Sequence, residues 1–147
     1  MSIFNAINVS ASGLTAERLR MDVISKNIAN ANTTRTVNGG PYRRQVVVFK
    51  DQQQPAFSQI LNNAVNNNSN HMKGVEVVGI RNDQSPFKKV YDPGHPDANE
   101  EGYVMMPNVE IVAEMANMIS ASRAYEANIT AMNATKSMAL KALELGR

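Results

Sequence analysis

Two histidines, thirteen carboxylates and no cysteine bound the chemistry open to this 147-residue chain. Groups of catalytic or metal-binding type crowd together in Asp92-Pro93-Gly94-His95-Pro96-Asp97, where two carboxylates flank an imidazole. A metal ion would accept such ligands. Two prolines and a glycine, however, mark a turn-rich loop, and it has a single histidine, so a structural loop is expected. Glu100 and Glu101 are adjacent, and adjacent side chains do not converge as an acid/base pair. His71 falls in an asparagine-rich stretch and is expected to be solvated. The phosphate-cradling pattern G-x-x-x-x-G-K-[ST] and the nucleophile elbow G-x-S-x-G do not occur. Without cysteine there is no disulfide, thiolate nucleophile or thiolate-bound zinc. Arg35, Arg43, Arg44 and Lys50 interleave with Tyr42 and Phe49 in the pattern of a nucleic-acid-binding strand. A net charge of +2 gives that reading little support. The residues point to a non-enzymatic chain with no cofactor, no metal and no nucleic-acid partner.

Three other groups of side chains say more. Asn27 and Asn30 share one helix face, with Asn32 just beyond. Their amides either end a helix or hydrogen-bond to neighbouring helices and set register, as a polar group in an apolar seam does. Met115, Met118, Met132 and Met138 are either core filler or an adaptable interface. Charge is also zoned. Residues 1–50 carry seven bases and two acids, whereas 91–114 carry six acids and no base. Solvated surface charge is the bland explanation. The sharper one pairs Arg43 and Arg44 of one subunit with Asp97, Glu100 and Glu101 of another.

These groups must be positioned by long helices. Stations at Ile3, Ile7, Ser10, Leu14, Glu17, Met21, Ile24, Ile28 and Ala31 step by three and four. So do Ile111, Met115, Met118, Ser122, Tyr125, Ile129, Met132, Lys136, Ala139 and Leu143. Such steps mark helices that bury a stripe against other helices. The first helix is expected from an N-cap at Ser2 to about Asn32, with Gly13 costing ~1 kcal/mol relative to alanine. The second is expected to follow an N-cap at Asn108, with Glu110 in its first turn and Gly146 at its end.

Between them, Tyr42–Lys50, Gly74–Ile80, Phe87–Tyr91 and Gly102–Met106 read as strands. The Gln- and Asn-rich stretch 51–73 reads as a flexible excursion. The expected fold class is α+β: two long terminal helices packed antiparallel, coiled-coil-like, flanking a small, mostly antiparallel β-domain. The helical assembly domain comprises 1–32 and 108–147; the β-rich outer domain comprises 33–107.

Length sharpens the meaning of the seams. A compact globule of this size has a diameter of roughly 38 Å. A helix over 109–145 would be ~55 Å long, and no proline interrupts 108–147. The seam is therefore expected to be shared between subunits. It would have no partner in the free monomer, so disorder is expected there over 5–30 and 112–143. The chain has no apolar run long enough to span a membrane and no cleavable signal pattern, which alone would give a cytoplasmic default.

Leu14-Thr15-Ala16-Glu17-Arg18-Leu19-Arg20-Met21-Asp22-Val23-Ile24-Ser25-Lys26-Asn27-Ile28-Ala29-Asn30-Ala31-Asn32-Thr33 resembles the N-terminal signature of bacterial flagellar axial proteins, especially the basal-body rod proteins. Met115-Ala116-Asn117-Met118-Ile119-Ser120-Ala121-Ser122-Arg123-Ala124-Tyr125-Glu126-Ala127-Asn128-Ile129 resembles their C-terminal signature. Tyr91–Ala98, leading to Gly102-Tyr103-Val104, is similar to the proximal-rod member. The Asn-rich segment near 62–70 matches nothing in that pattern.

The resemblance implies a self-assembling structural subunit of a hollow drive shaft that transmits motor torque. Its implied partners are itself, other rod proteins, the rod–ring adaptor and the flagellar type III export apparatus. It implies export without a cleaved signal, to the periplasmic part of the basal body, against the cytoplasmic default. The assembly interface is expected at Ile7, Leu14, Met21, Ile24, Asn27, Ile28, Asn30, Asn32, Met115, Met118, Tyr125, Ile129, Met132 and Leu143. The alternatives are another rod- or hook-type axial subunit, or a soluble helical-hairpin adaptor that forms a stable monomer or closed dimer.

Overall fold

The computed structural model describes residues 3–37, 39–52, 61 and 74–145. Helix α1 spans Ile3–Ala29 and α2 spans Ile111–Leu145. Between them lie β1 (Gln45–Asp51), β2 (Val75–Asn82), β3 (Lys88–Tyr91) and β4 (Tyr103–Met106). The fold is α+β, with a long helix at each end and strands between. The excursion expected over 51–73 lies outside the described residues, apart from Asp51, Gln52 and Leu61. Ser2 and Gly146, expected at the helix ends, also lie outside them.

Helix α1 stops at Ala29 rather than Asn32. The Asn30 N–H still donates to Lys26 O at 3.1 Å, but Ala31 N–H donates to Ile28 O and Thr33 N–H to Asn30 O. These bonds reach back three residues, so the last turn tightens and then ends. No described residue other than glycine has positive φ, so no asparagine provides a left-handed cap. The Asn30 side-chain amide also donates to Lys26 O at 2.9 Å, sharing the carbonyl that accepts the Asn30 N–H.

Helix α2 runs unbroken for 35 residues, about 52 Å at ~1.5 Å per residue. Its N-cap position falls to Glu110, whose carbonyl accepts the Glu114 N–H at 2.9 Å. The expected cap, Asn108, is drawn away. Its Oδ1 accepts the Arg44 N–H at 2.8 Å, and its Nδ2 donates to Asp83 O and Ser85 O.

The strands form two separate two-stranded ribbons, β1 with β2 and β3 with β4, rather than a single sheet. β3 and β4 are antiparallel, with Lys88 opposite Met106 and Tyr91 opposite Tyr103. The Tyr91 and Tyr103 rings meet edge-on at 5.3 Å, a favourable aromatic geometry. Gly102 closes their connection at φ +80°, where a Cβ would lie 2.9 Å from the Tyr91 ring. Only glycine meets both demands without strain.

The chain divides into two compact units: Met1–Arg18, Phe49–Val78 and Arg123–Arg147 form unit 1, and Leu19–Val48 and Gly79–Ser122 form unit 2. This division crosses the helices instead of separating helix from strand. Helix α1 passes from unit 1 into unit 2 and α2 from unit 2 into unit 1.

Within unit 2 the core contains Val23, Ile24, Val104, Ala121 and a cluster of Ala31, Tyr42 and Val109. Within unit 1, Ala16 is buried and Gly13 faces the Asn128 side chain, which a Cβ would approach to 3.1 Å. Close approach of the two helices therefore offsets the helix propensity lost at Gly13. Ser12 Oγ donates to Val9 O at 2.7 Å and accepts the Val75 N–H at 3.1 Å, anchoring the start of β2.

Candidate assembly interface

The stations of α2 separate into two rows. Met118, Tyr125, Met132 and Ala139 are half-buried, with Ile111 exposed at the start of their row, whereas Met115, Ile129, Lys136 and Leu143 are exposed, with Ser122 half-buried among them. Positions 118, 125, 132 and 139 repeat every seven residues, as do 115, 122, 129, 136 and 143, so each row keeps to one side of the helix. The chain covers one edge of the apolar stripe and leaves the other in water. Met115 is 54% exposed and Leu143 72%. Val112, Ile119 and Leu140 widen the open edge. The sequence reading omitted them because it followed one alternating stripe. Their spacing from Val112 to Ile119 carried a faint signal, but Glu126 and Asn133 interrupt that row.

Helix α1 is different. Ile24 is buried and Ile7, Leu14, Met21 and Ile28 are half-buried, so these stations serve the chain's own packing. Its exposed positions include Asn8, Thr15, Arg18, Asp22, Ser25 and Lys26, which are polar. Phe4, 76% exposed, is an exception near its start. The open apolar surface of the described helices thus lies mainly on α2.

The three asparagines have three different settings. Asn32 is exposed, and the Asn30 amide bonds back to Lys26 O of its own helix. Asn27 is 1% exposed and fully committed within unit 2. Its Nδ2 donates to Gln45 O and Glu114 Oε2, both at 2.8 Å. Its Oδ1 accepts the Tyr42 hydroxyl and the Gln45 N–H, both at 2.9 Å. A side-chain amide offers two donors and two acceptor lone pairs, and all four are used. Asn27 thus spends its hydrogen bonds between elements of one chain.

Glu114 completes this network. It was counted in the acidic zone, yet it is 1% exposed. Arg44 Nε and Nη2 donate to Glu114 Oε1 at 2.9 and 2.7 Å, and Arg44 Nη1 donates to Asp83 Oδ2 at 3.1 Å. Burial works against the Arg44 charge, but the Glu114 and Asp83 carboxylates outweigh it and push the guanidinium pKa up. Burial, followed by the Glu114 charge, also raises the Tyr42 pKa, keeping its phenol a donor to Asn27. The Asp83 carboxyl is lowered to about 2, first by hydrogen bonds from Ser85 and then by Arg44.

This arrangement alters the expected charge pairing. Arg44 is held inside its own chain. Arg43 donates to Asp83 O at 3.1 Å and lies 4.3 Å from the Phe87 ring centroid. The printed bonds of Arg43 use Nη1 alone, whereas those of Arg44 use all three guanidinium nitrogens. Asp97 accepts the Thr34 hydroxyl at 2.8 Å and shares a cleft with Arg35, while Glu100 and Glu101 are exposed.

The 92–102 loop is organised by its own hydrogen bonds. His95 Nδ1 accepts the Asp97 N–H at 3.1 Å, and Asn99 Oδ1 accepts the N–H groups of Glu101 and Tyr103. Among the described residues no three carboxylate or imidazole groups converge on a metal position. No described helix is long and apolar enough to cross a membrane. His71 lies outside the described residues.

Residues 7–35 match the family model described as flagella basal body rod protein. Residues 100–145 match that of the flagellar basal body rod FlgEFG protein C-terminal region. The chain is 52% identical to the flagellar basal-body rod protein FlgC of Bacillus subtilis (strain 168), over 100% of both chains. It is 48% identical to FlgC of Borreliella burgdorferi over 99% of this chain and 98% of that one. Against FlgC of Salmonella typhimurium it is 40% identical over 100% of both. Full-length likeness of this degree accounts for the two terminal signatures and the tract between them: the chain belongs to the family of the flagellar basal-body rod protein FlgC, a structural family of the bacterial flagellum.

Proposed function

We propose that this chain is a non-enzymatic subunit of the proximal rod, assembling helically with copies of itself and with other rod proteins into a hollow shaft that carries motor torque. The observation that carries this reading is the uncovered row on α2, where Met115, Ile129 and Leu143 remain in water while their neighbours at 118, 125 and 132 are packed. Apolar surface removed from water contributes ~25 cal/mol per Å², so a repeating contact along this row would stabilise a shaft. A shaft also needs contacts that repeat without closing, which requires different patches on the two sides of each joint. The rod–ring adaptor and the flagellar type III export apparatus complete the proposed partners. The location is the periplasmic part of the basal body, reached without a cleaved signal. Glu100 and Glu101 are among the exposed acids of the 91–114 zone and would pair with bases of a neighbour.

Fractionation tests the proposal. The protein should co-purify with basal bodies, and its loss should remove the rod while leaving the inner-membrane ring. A protein found only in the cytosol as a discrete monomer or dimer would instead fit the helical-hairpin adaptor.

A further inference from the structure

The cleft that Arg35 shares with Asp97 lies wholly within unit 2 and measures about 330 Å³. Arg35 and Pro41 line it from the segment 33–42, and Tyr103 and Met105 from β4. Tyr42 N–H donates to Thr33 O at 3.0 Å and Thr36 N–H to Gly40 O at 2.9 Å, so that segment is a closed turn. The β3–β4 register fixes how β4 presents its backbone. Asp92 N–H donates to Gly102 O at 3.0 Å, and hydrogen-bonded pairs alternate with non-hydrogen-bonded ones along an antiparallel ribbon. The pairs of Tyr103 with Tyr91 and of Met105 with Lys89 are therefore non-hydrogen-bonded, and both β4 residues turn their N–H and C=O groups away from β3. Asn99 covers the first position: its N–H donates to Tyr103 O at 2.9 Å, and its Oδ1 accepts the Tyr103 N–H at 2.8 Å. Asn99 itself lines the cleft, so the outward groups of Met105 are on the cleft side. No described residue covers them.

We propose that this cleft binds an extended, acidic peptide segment of a different protein, which adds to β4 as a short strand. Met105 offers it one main-chain donor and one acceptor, the pairing by which sheet edges take up peptides. Tyr103, Met105 and Pro41 supply apolar contact. The charge preference comes from two cations. Lys89 is directly opposite Met105 on the same ribbon face, within reach of a neighbouring side chain, and Arg35 lines the cleft. Both are exposed, and neither bonds to another described residue. A guanidinium so placed suits a carboxylate. Asp97, the acid of the cleft, already accepts the Thr34 hydroxyl. A second copy of this chain does not supply the segment. All thirteen acids lie among the described residues. Each is in a helix or at its N-cap, in the paired strands β1 and β2, or in the hydrogen-bonded segments 83–85 and 92–102. This inference concerns unit 2 alone and holds whether or not the chain builds a rod.

Fluorescence anisotropy tests it, with the full chain and a labelled synthetic octapeptide of alternating valine and glutamate. The peptide should bind saturably. Arg35→Glu combined with Lys89→Glu should weaken binding at least ~10-fold, the loss expected for charge-assisted hydrogen bonds. Both positions are exposed, so this variant should fold as the parent does. An octapeptide of alternating valine and lysine should then bind the variant more tightly than it binds the parent. Methylating the main-chain nitrogens at the centre of the acidic peptide removes its N–H donors and keeps its charge, and should also weaken binding at least ~10-fold. Absence of saturable binding, binding that survives the double charge reversal, or equal binding of the methylated peptide would each overturn the proposal.

Discussion

At the scale of single residues, Glu114 is the most consequential side chain outside the apolar core. Removing a buried acceptor leaves its donors short of a partner away from water. Glu114→Ala leaves Arg44 with Asp83 alone and orphans one buried amide proton of Asn27, so it should destabilise the chain by about 1–3 kcal/mol, read as a lower denaturant midpoint. Arg44→Lys should also be damaging, because an ammonium cannot reproduce the guanidinium bonds to both Glu114 and Asp83.

Asp83 gives the acid side of the stability profile a definite sign. Its carboxyl pKa is about 2 in the folded chain against an ordinary 3.8. The folded state therefore favours the ionised form, and the resulting stabilisation is complete above pH 3.8. It is lost as pH falls through about 2. Asp83→Asn should lower stability near neutral pH and flatten its decline over that acid interval. An unaltered acid limb, measured by denaturation at successive pH values, would count against the assignment.

At the scale of elements, the two helices have different tasks. Helix α1 directs its apolar stations into the chain and presents a mainly polar exterior, whereas α2 is apolar on two adjoining rows. The same substitution should therefore have different consequences at different stations. Ile24→Asp places a charge at a site 5% exposed and should cost more than ~4 kcal/mol. Met115→Asp or Ile129→Asp, on the open row, should change monomer stability by less than ~1 kcal/mol. Circular dichroism should show both open-row variants as folded as the parent, while motility and incorporation into basal bodies are lost. Retained motility would remove the open row from the proposed interface.

At the scale of the whole molecule, the kind of assembly matters more than its strength. A rod subunit joins different patches, so association should continue beyond the dimer as concentration rises. Sedimentation of the purified chain should show a broad distribution of larger species, and Ile129→Asp should collapse it to monomer. A single sharp dimer boundary would favour the closed helical hairpin.

The sequence by itself determined the element order, the strand positions to within a few residues, the two apolar stripes and the family. Periodicity and turn residues are local, and they survive whatever the chain packs against. Tyr42–Lys50 became β1 at Gln45–Asp51, and Gly74–Ile80 became β2 at Val75–Asn82. Tertiary structure decided which edge of each stripe the chain covers itself. It also decided that Asn108 ties Arg44 to Asp83 and Ser85 instead of capping α2, and that Glu114 leaves the acidic surface for a buried network with Asn27 and Arg44. Those outcomes depend on side chains up to 87 positions apart in sequence meeting within hydrogen-bond distance. No local pattern of charge or hydropathy records such a meeting, because an asparagine or glutamate looks the same whether its partner is water or a buried arginine.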